Sequence, residues 1–286
     1  MASRFGKFAR LVKLEHTIFA LPFAYAGAFL AARGLPELRV LLWITLAMVG
    51  ARNAAMGLNR VIDREIDRLN PRTAARELPR GVVGVAETWI FSILSLGLLA
   101  ISAWELNPLA LELLPLAVVI LVVYPYAKRF TRFCHYYLAG AEFFAPFGGW
   151  IAVTGRLSWS AVLLGLGVGL WVGGFDILYA FLDLDFDRSH GIHSLPADLG
   201  IRPALWIARI THVIAFAAIL SLFFIEHLGI FYLLGTALTG VLLVYEHILA
   251  KPGDNAKINA AFFNINGLIS MSFFLFILLQ ETWPHG

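Results

Sequence analysis

Asn59-Arg60-Val61-Ile62-Asp63-Arg64-Glu65-Ile66-Asp67 leaves one long apolar run, and Asp176-Ile177-Leu178-Tyr179-Ala180-Phe181-Leu182-Asp183-Leu184-Asp185-Phe186-Asp187 leaves another. Each ends in an aspartate pair at i,i+4, Asp63/Asp67 and Asp183/Asp187, and the polar residues ahead of each pair keep helical spacing. No breaker intervenes before Pro71 in the first or Gly191 in the second. Each stretch therefore predicts a helix emerging from an apolar span with its acids on one face. Four carboxylates at a hydrocarbon border are costly to place there, which points to a ligand. Hard oxygens gathered in this way suit Mg2+, which takes one or two carboxylates and completes its shell with phosphate oxygens.

The rest of the chain repeats the apolar half of this pattern. It is 59% hydrophobic and 14% charged, with a mean hydropathy of +0.77, outside the balance of soluble domains. Runs of spanning length lie at 17–33, 40–58, 86–104, 108–126, 136–154, 160–180, 204–225, 228–249 and 259–280. The expected fold is all-α, an integral membrane bundle of about nine transmembrane helices forming a single domain over 1–286. The basic N-terminus runs straight into a full-length span, so no cleavable signal peptide is expected. Cys134 is the only cysteine, which excludes an internal disulfide and a cysteine-based metal cluster.

Charge sorting orients the bundle. Arg4, Lys7, Arg10 and Lys13 precede the first span; Arg60, Arg64, Arg68, Arg72, Arg76 and Arg80 follow the second. Lys128, Arg129 and Arg132 follow the fourth, Arg188 and Arg202 the sixth, and Lys251 and Lys257 the eighth, against only Arg33, Arg39 and Arg156 in the opposite loops. The positive-inside rule then puts the N-terminus in the cytoplasm and the C-terminus outside. All eight aspartates fall at or near the cytoplasmic face as well. Acids contribute little to topology, so their enrichment there asks for another cause, and a metal–phosphate site supplies one.

The two aspartate-bearing loops, 59–85 and 181–203, each follow an even-numbered span, which suggests a weak internal duplication with the site between its halves. Arg72, Arg76 and Arg80 follow the first pair, and Arg188, His190 and His193 the second. Cations beside metal-binding carboxylates suit a diphosphate, which the planar fork of arginine grips well. An allylic diphosphate would lose pyrophosphate under metal-assisted charge neutralisation and leave a carbocation whose apolar tail a membrane bundle can house.

Asp176 lies seven residues before Asp183, two turns deeper on the same helical face. Burial raises the basicity of a carboxylate, so Asp176 is either a proton acceptor or a structural partner of a neighbouring helix. Tyr179 could position a substrate or simply pack. Arg52 could grip an acceptor carboxylate or pair with an acid such as Glu142. His16, His135, His190 and His193 have no metal-ligand spacing. Gly165, Gly167, Gly169, Gly173 and Gly174 read as sites of close helix packing.

These motifs resemble the UbiA family of intramembrane aromatic prenyltransferases. The family's Asn-Asp-x-x-Asp-x-x-x-Asp is similar to Asn59-Arg60-Val61-Ile62-Asp63-Arg64-Glu65-Ile66-Asp67, with Arg60 replacing the family's aspartate. Its Asp-x-x-Tyr-Ala-x-x-Asp-x-x-x-Asp is complete as Asp176, Tyr179, Ala180, Asp183 and Asp187, and Tyr124-Pro125-Tyr126-Ala127-Lys128-Arg129 matches its Tyr-Pro-x-x-Lys-Arg. The resemblance covers essentially the whole chain. It implies that Asp63, Asp67, Asp183 and Asp187 bind Mg2+, with Asn59 in the first metal–diphosphate assembly. It also implies that Arg64, Lys128 and Arg72 or Arg76 contact the diphosphate, and that Asp176 activates the acceptor phenol or receives its ring proton.

The implied function is transfer of a polyprenyl group from polyprenyl diphosphate to a hydroxylated aromatic acid in quinone biosynthesis, at the inner membrane with the site facing the cytoplasm. The acceptor is 4-hydroxybenzoate, or 1,4-dihydroxy-6-naphthoate as in the futalosine-route menaquinone subgroup. Leu14-Glu15-His16-Thr17 and the tail Leu184 to Ser194 resemble that subgroup. The partners expected are these substrates and the lipid bilayer, with no nucleic acid. A CDP-alcohol phosphotransferase would need an aspartate pattern that is absent. A transporter with acidic cation sites would place its acids at the midplane, not at one edge.

Overall fold

The computed structural model describes residues 14–250 and 253–283, with side chains from Leu21 onward. Arg4, Lys7, Arg10, Lys13 and Lys251, and the side chains of Glu15, His16 and Thr17, lie outside the described residues. Among the described residues every regular element is helical: α1 (Leu14–Ala32), α2 (Leu38–Ile62), α3 (Arg64–Leu69), α4 (Val85–Leu106), α5 (Pro108–Ala127), α6 (Cys134–Thr154) and α7 (Trp159–Tyr179). A 3-10 turn, Ala180–Asp183, leads into α8 (Leu184–His190). Then come α9 (Leu195–Leu199), α10 (Ile201–Ile225), α11 (Ile230–Leu249), α12 (Asn255–Ala260) and, after a π-helical turn at Ala261–Ile265, α13 (Asn266–Thr282).

A helix covers each run read as a span, but seven of the described helices, not nine, are long and apolar enough to cross a membrane. α1 is a 19-residue helix whose described side chains, from Leu21 to Ala32, are apolar, so the count neither includes nor excludes it as a span. In α6, His135, Glu142 and three glycines dilute the apolar content, and much of that helix is buried against protein rather than lipid.

Local chemistry sets the ends of these helices. Asn107 accepts from the Ala110 amide at 3.0 Å to cap α5, with Pro108 at its first position, and donates at 2.9 Å to the Ile151 carbonyl in α6. Ser158 caps α7 by accepting from Ala161 N at 3.1 Å. Gly155, just past α6, has φ 60°, the left-handed conformation that glycine adopts at little cost.

α6 and α7 form the centre of the bundle. α7 lies between α6 and α10, α1 packs on the other side of α6, and α13 joins α1 to α11. α2 packs along α4, and α5 bridges α4 to α6. Phe23, Trp150, Trp171, Tyr232 and Phe273 anchor the principal core. Outward residues such as Ile93, Ile101, Val119, Val213, Val241 and Val244 remain exposed, an apolar girdle suited to lipid. The α1–α6 crossing is unusually close: a Cβ on Gly27 would overlap the Pro146 carbonyl oxygen, and one on Gly149 would overlap that of Ala24. The α7 glycines likewise meet neighbouring helices, Gly165 against Phe143 and Gly169 against the Ala139 carbonyl, as expected for close packing.

Candidate active site

Both aspartate segments depart from the uninterrupted helix that their spacing predicts. α2 ends at Ile62, Asp63 has φ −91° and ψ 2°, and α3 starts at Arg64. The hydrogen-bond ladder survives this kink, with Asp63 N bonded to Asn59 O at 2.9 Å and Asp67 N to Asp63 O at 2.8 Å. The second segment tightens into the 3-10 turn at Ala180–Asp183 before α8, which stops at Gly191 with φ 65°. Around the bend at the first aspartate of each pair, the two carboxylates meet different partners.

Asp63 is buried at 1% exposure. It receives Lys128 Nζ at 2.6 Å, Arg129 at 3.0 Å and Asn59 Nδ2 at 2.9 Å. Asp67, also buried, takes Arg76 on both oxygens at 2.7 and 2.8 Å. Asp183 accepts from Arg72 Nε and from Asn70 Nδ2, each at 2.8 Å, and a second guanidinium nitrogen of Arg72 closes on its other oxygen. Arg72 also reaches the Tyr179 hydroxyl at 3.2 Å. Burial would lower the basicity of this guanidinium, but its bond to Asp183 carries the net pKa above the ordinary value. Asp187 accepts from Ser194 Oγ at 3.3 Å. Lys128 lies within electrostatic reach of Asp183 and Asp187 while touching Asp63, so the two halves converge around it.

A cavity of about 530 Å³ opens from this cluster into the bundle. Asn59, Asp63, Arg76, Lys128, Asp176 and Tyr179 line its polar end. Arg52 and Glu142 face it deeper in, 3.7 Å apart, and the Nε of Arg52 has no hydrogen-bond partner. Beyond them Leu99, Ala103 and Leu106 on α4 face Leu113, Leu114 and Ala117 on α5 across an apolar limb. Asp176 lines the cavity, and one of its oxygens is 2.7 Å from His135 Nδ1 on α6, the partner on a neighbouring helix that one reading expected. The Tyr179 ring packs on Phe262 at a centroid distance of 4.0 Å.

Arg64 is placed apart from these residues. It is exposed and paired with Glu65 at 3.0 Å, and it does not line the cavity. Arg60 does line the cavity and is buried. Sequence reasoning passed over Arg129, Asn70 and His135. Arg129 sits beside Lys128 in the quoted Tyr-Pro motif, where its adjacency was a usable signal. Asn70 and His135 gain their roles from partners 113 and 41 residues away, which no local spacing encodes.

No group of three or more His, Cys, Asp or Glu side chains forms a ready metal cage among the described residues. The donor set, two separated aspartate pairs with cations between them, fits Mg2+ that completes its coordination with phosphate oxygens. Fold and site together define a polytopic membrane protein whose cavity joins an acid- and cation-lined mouth to an apolar limb, a receptacle for an anionic amphiphile. Residues 20–268 match the UbiA prenyltransferase family, and the chain belongs to that family.

The chain is 30% identical over 281 residues to a 4-hydroxybenzoate octaprenyltransferase from Alkalilimnicola ehrlichii, covering 96% of this chain and 94% of the relative. It is 31% identical to one from Vibrio cholerae serotype O1, covering 94% and 92%. Among solved structures, an apo UbiA homolog from Aeropyrum pernix K1 superposes with a TM-score of 0.84 at 37% identity, covering 93% of this chain and 98% of that one. A UbiA homolog from Archaeoglobus fulgidus bound to GPP and Mg2+ shares the fold, with a TM-score of 0.69 at 19% identity and coverage of 95% and 99%.

Proposed function

We propose that this protein transfers a polyprenyl group from polyprenyl diphosphate to 4-hydroxybenzoate in quinone biosynthesis, with Mg2+ as cofactor. The observation that carries the reading is the continuous cavity joining the Asp63–Lys128 mouth to the apolar limb, with Arg52 and Asp176 between them. Its length of apolar wall suits an isoprenoid, and its mouth suits a diphosphate. The names of the relatives support the acceptor, and the GPP- and Mg2+-bound homolog supports the metal.

Asp63, Asp67, Asp183 and Asp187 would hold Mg2+, with Asn59 completing the first half. Bound there, the metal neutralises charge that builds on the leaving pyrophosphate. Lys128, Arg72 and Arg76 add donors to the same oxygens, so the carbon–oxygen electron pair departs into a preorganised positive field. The apolar limb holds the allylic tail and keeps water from the cation. Arg52, whose long contact with Glu142 leaves donors unused, grips the acceptor carboxylate and orients the ring. Tyr179 borders the space between diphosphate and ring. As the ring carbon bonds to the allyl carbon, the ring proton passes to the cavity-facing oxygen of Asp176 and aromaticity returns.

The protein would lie as one domain in the cell inner membrane with this mouth toward the cytoplasm. Purified protein in detergent tests the reaction directly. Mg2+-dependent release of pyrophosphate with a prenylated 4-hydroxybenzoate in the mass spectrum is the expected result. Product from 1,4-dihydroxy-6-naphthoate alone, in a side-by-side assay, would reassign the acceptor. Absence of product with every acceptor and prenyl length would overturn the reading.

A further inference from the structure

His135 is buried, with 2% of its side chain exposed, at the N-terminal end of α6. Both ring nitrogens are engaged. Nδ1 lies 2.7 Å from Asp176 Oδ2, and Nε2 lies 3.3 Å from the backbone nitrogen of Leu195. A backbone N–H can only donate, so Nε2 must be the acceptor. The ring proton is then on Nδ1, and it points at the carboxylate. Asp176 Oδ2 therefore accepts, which leaves the other oxygen for the cavity that Asp176 lines.

The peptide that sets this tautomer belongs to α9. Its N-cap Ser194 accepts from the Ala197 amide at 3.2 Å and donates to Asp187 Oδ2 at 3.3 Å. The segment that fixes the imidazole thus also holds an aspartate of the second pair. A carboxylate on a straight helix would otherwise be free to rotate about its two side-chain torsions. An imidazole locked from behind removes that freedom.

We infer that His135 is a positioning residue for the acceptor half-reaction: through its Nδ1–H it holds one oxygen of Asp176 and so aims the other at the acceptor's departing proton. This rests on the proposed role of Asp176 as proton acceptor. His135 touches neither substrate.

The test compares three variants of the full chain in detergent. His135→Ala removes the donor. His135→Asn keeps an N–H near the Nδ1 position, and His135→Gln places its amide near Nε2, out of reach of Asp176. We expect His135→Ala and His135→Gln to lower kcat by about 10–100-fold, the scale of losing an orienting partner behind a functional ligand. KM for the prenyl diphosphate should stay within about twofold, because binding at the mouth does not use this bond. His135→Asn should recover most of kcat. In an Asp176→Asn background, His135→Ala should cost nothing more, since residues that act as a unit are not additive.

Unchanged kcat in His135→Ala, equal loss in His135→Asn and His135→Gln, or a rise in prenyl diphosphate KM matching the fall in kcat would each overturn the inference. If His135→Ala fails to fold, the Asn–Gln comparison decides alone. Full activity of the single variant Asp176→Asn would instead overturn the role of Asp176, a separate outcome from failure of His135 to matter.

Discussion

At the scale of single residues, the site is a set of compensated charges. Asp63 has three donors, Asp67 is gripped by Arg76, and Asp183 by Arg72 and Asn70. These partners explain how buried carboxylates are tolerated at a membrane border. Removing the charge while keeping the shape should therefore spare the fold and stop the chemistry. Asp63→Asn and Asp183→Asn are expected to insert and fold as the parent does and to lose transfer, with the loss read as pyrophosphate release. Turnover like the parent's at limiting Mg2+ would remove these residues from the metal site. Arg72 offers a finer test, because it serves Asp183 and the Tyr179 hydroxyl with different guanidinium nitrogens. Lysine is a point charge without that fork. Arg72→Lys should raise KM for the prenyl diphosphate about tenfold, the equivalent of one charge-assisted hydrogen bond of ~1.5 kcal/mol. An unchanged KM would show that charge alone is required. Local register was enough to single out both aspartate pairs, Asn59, Lys128 and Asp176 as candidates. Asn70 and His135 were illegible because each acts on a residue far along the chain.

At the scale of elements, hydropathy located the helices, whereas packing decided how they are used. The sequence pattern placed a helix on every apolar run, yet it predicted straight helices through both aspartate pairs. The kink at Asp63 and the 3-10 turn before Asp183 escape such a pattern because the i→i+4 periodicity barely changes across them. Arg64, expected at the diphosphate, is exposed and paired with Glu65. Glycines in the spans were readable as contact points, but their partners were not. Gly149 is a direct probe, with the Ala24 carbonyl where its side chain would go. Gly149→Val should destabilise the α1–α6 crossing by about 1–3 kcal/mol, as overpacking does, and lower the unfolding temperature in detergent. Gly97 is the control, because a Cβ there would meet no atom within 4 Å. Gly97→Ala should leave stability unchanged or raise it by up to about 1 kcal/mol, the helix-propensity gain of alanine over glycine. Equal behaviour of the two variants would mean that the crossing is looser than its geometry implies.

At the scale of the whole molecule, the cavity ties two solvents together. Its mouth holds Asn59, Asp63, Arg76 and Lys128, with Asp63 and Lys128 paired, and its far limb is walled by aliphatic residues at helical spacing, Leu99, Ala103 and Leu106 on α4 and Leu113 and Ala117 on α5. A diphosphate held at the mouth would have to lay its tail along that limb, so the width of the limb should set which prenyl chains fit. Ala103 is buried on this wall, and Ala117 lines it from the opposite helix. Replacing either with phenylalanine adds a ring to the path of the tail without touching the charged mouth. Ala103→Phe and Ala117→Phe are expected to keep transfer from short donors of one or two isoprene units and to lose it progressively as the donor lengthens. The fall should appear mainly in kcat/KM for the long donors, because binding energy from the remote tail helps hold the reacting carbon in place. Acceptor KM should stay constant, since Arg52 lies on the mouth side of the substitutions. A donor-length profile identical to the parent's would mean that the tail leaves the cavity before reaching α4 and α5, toward lipid between other helices.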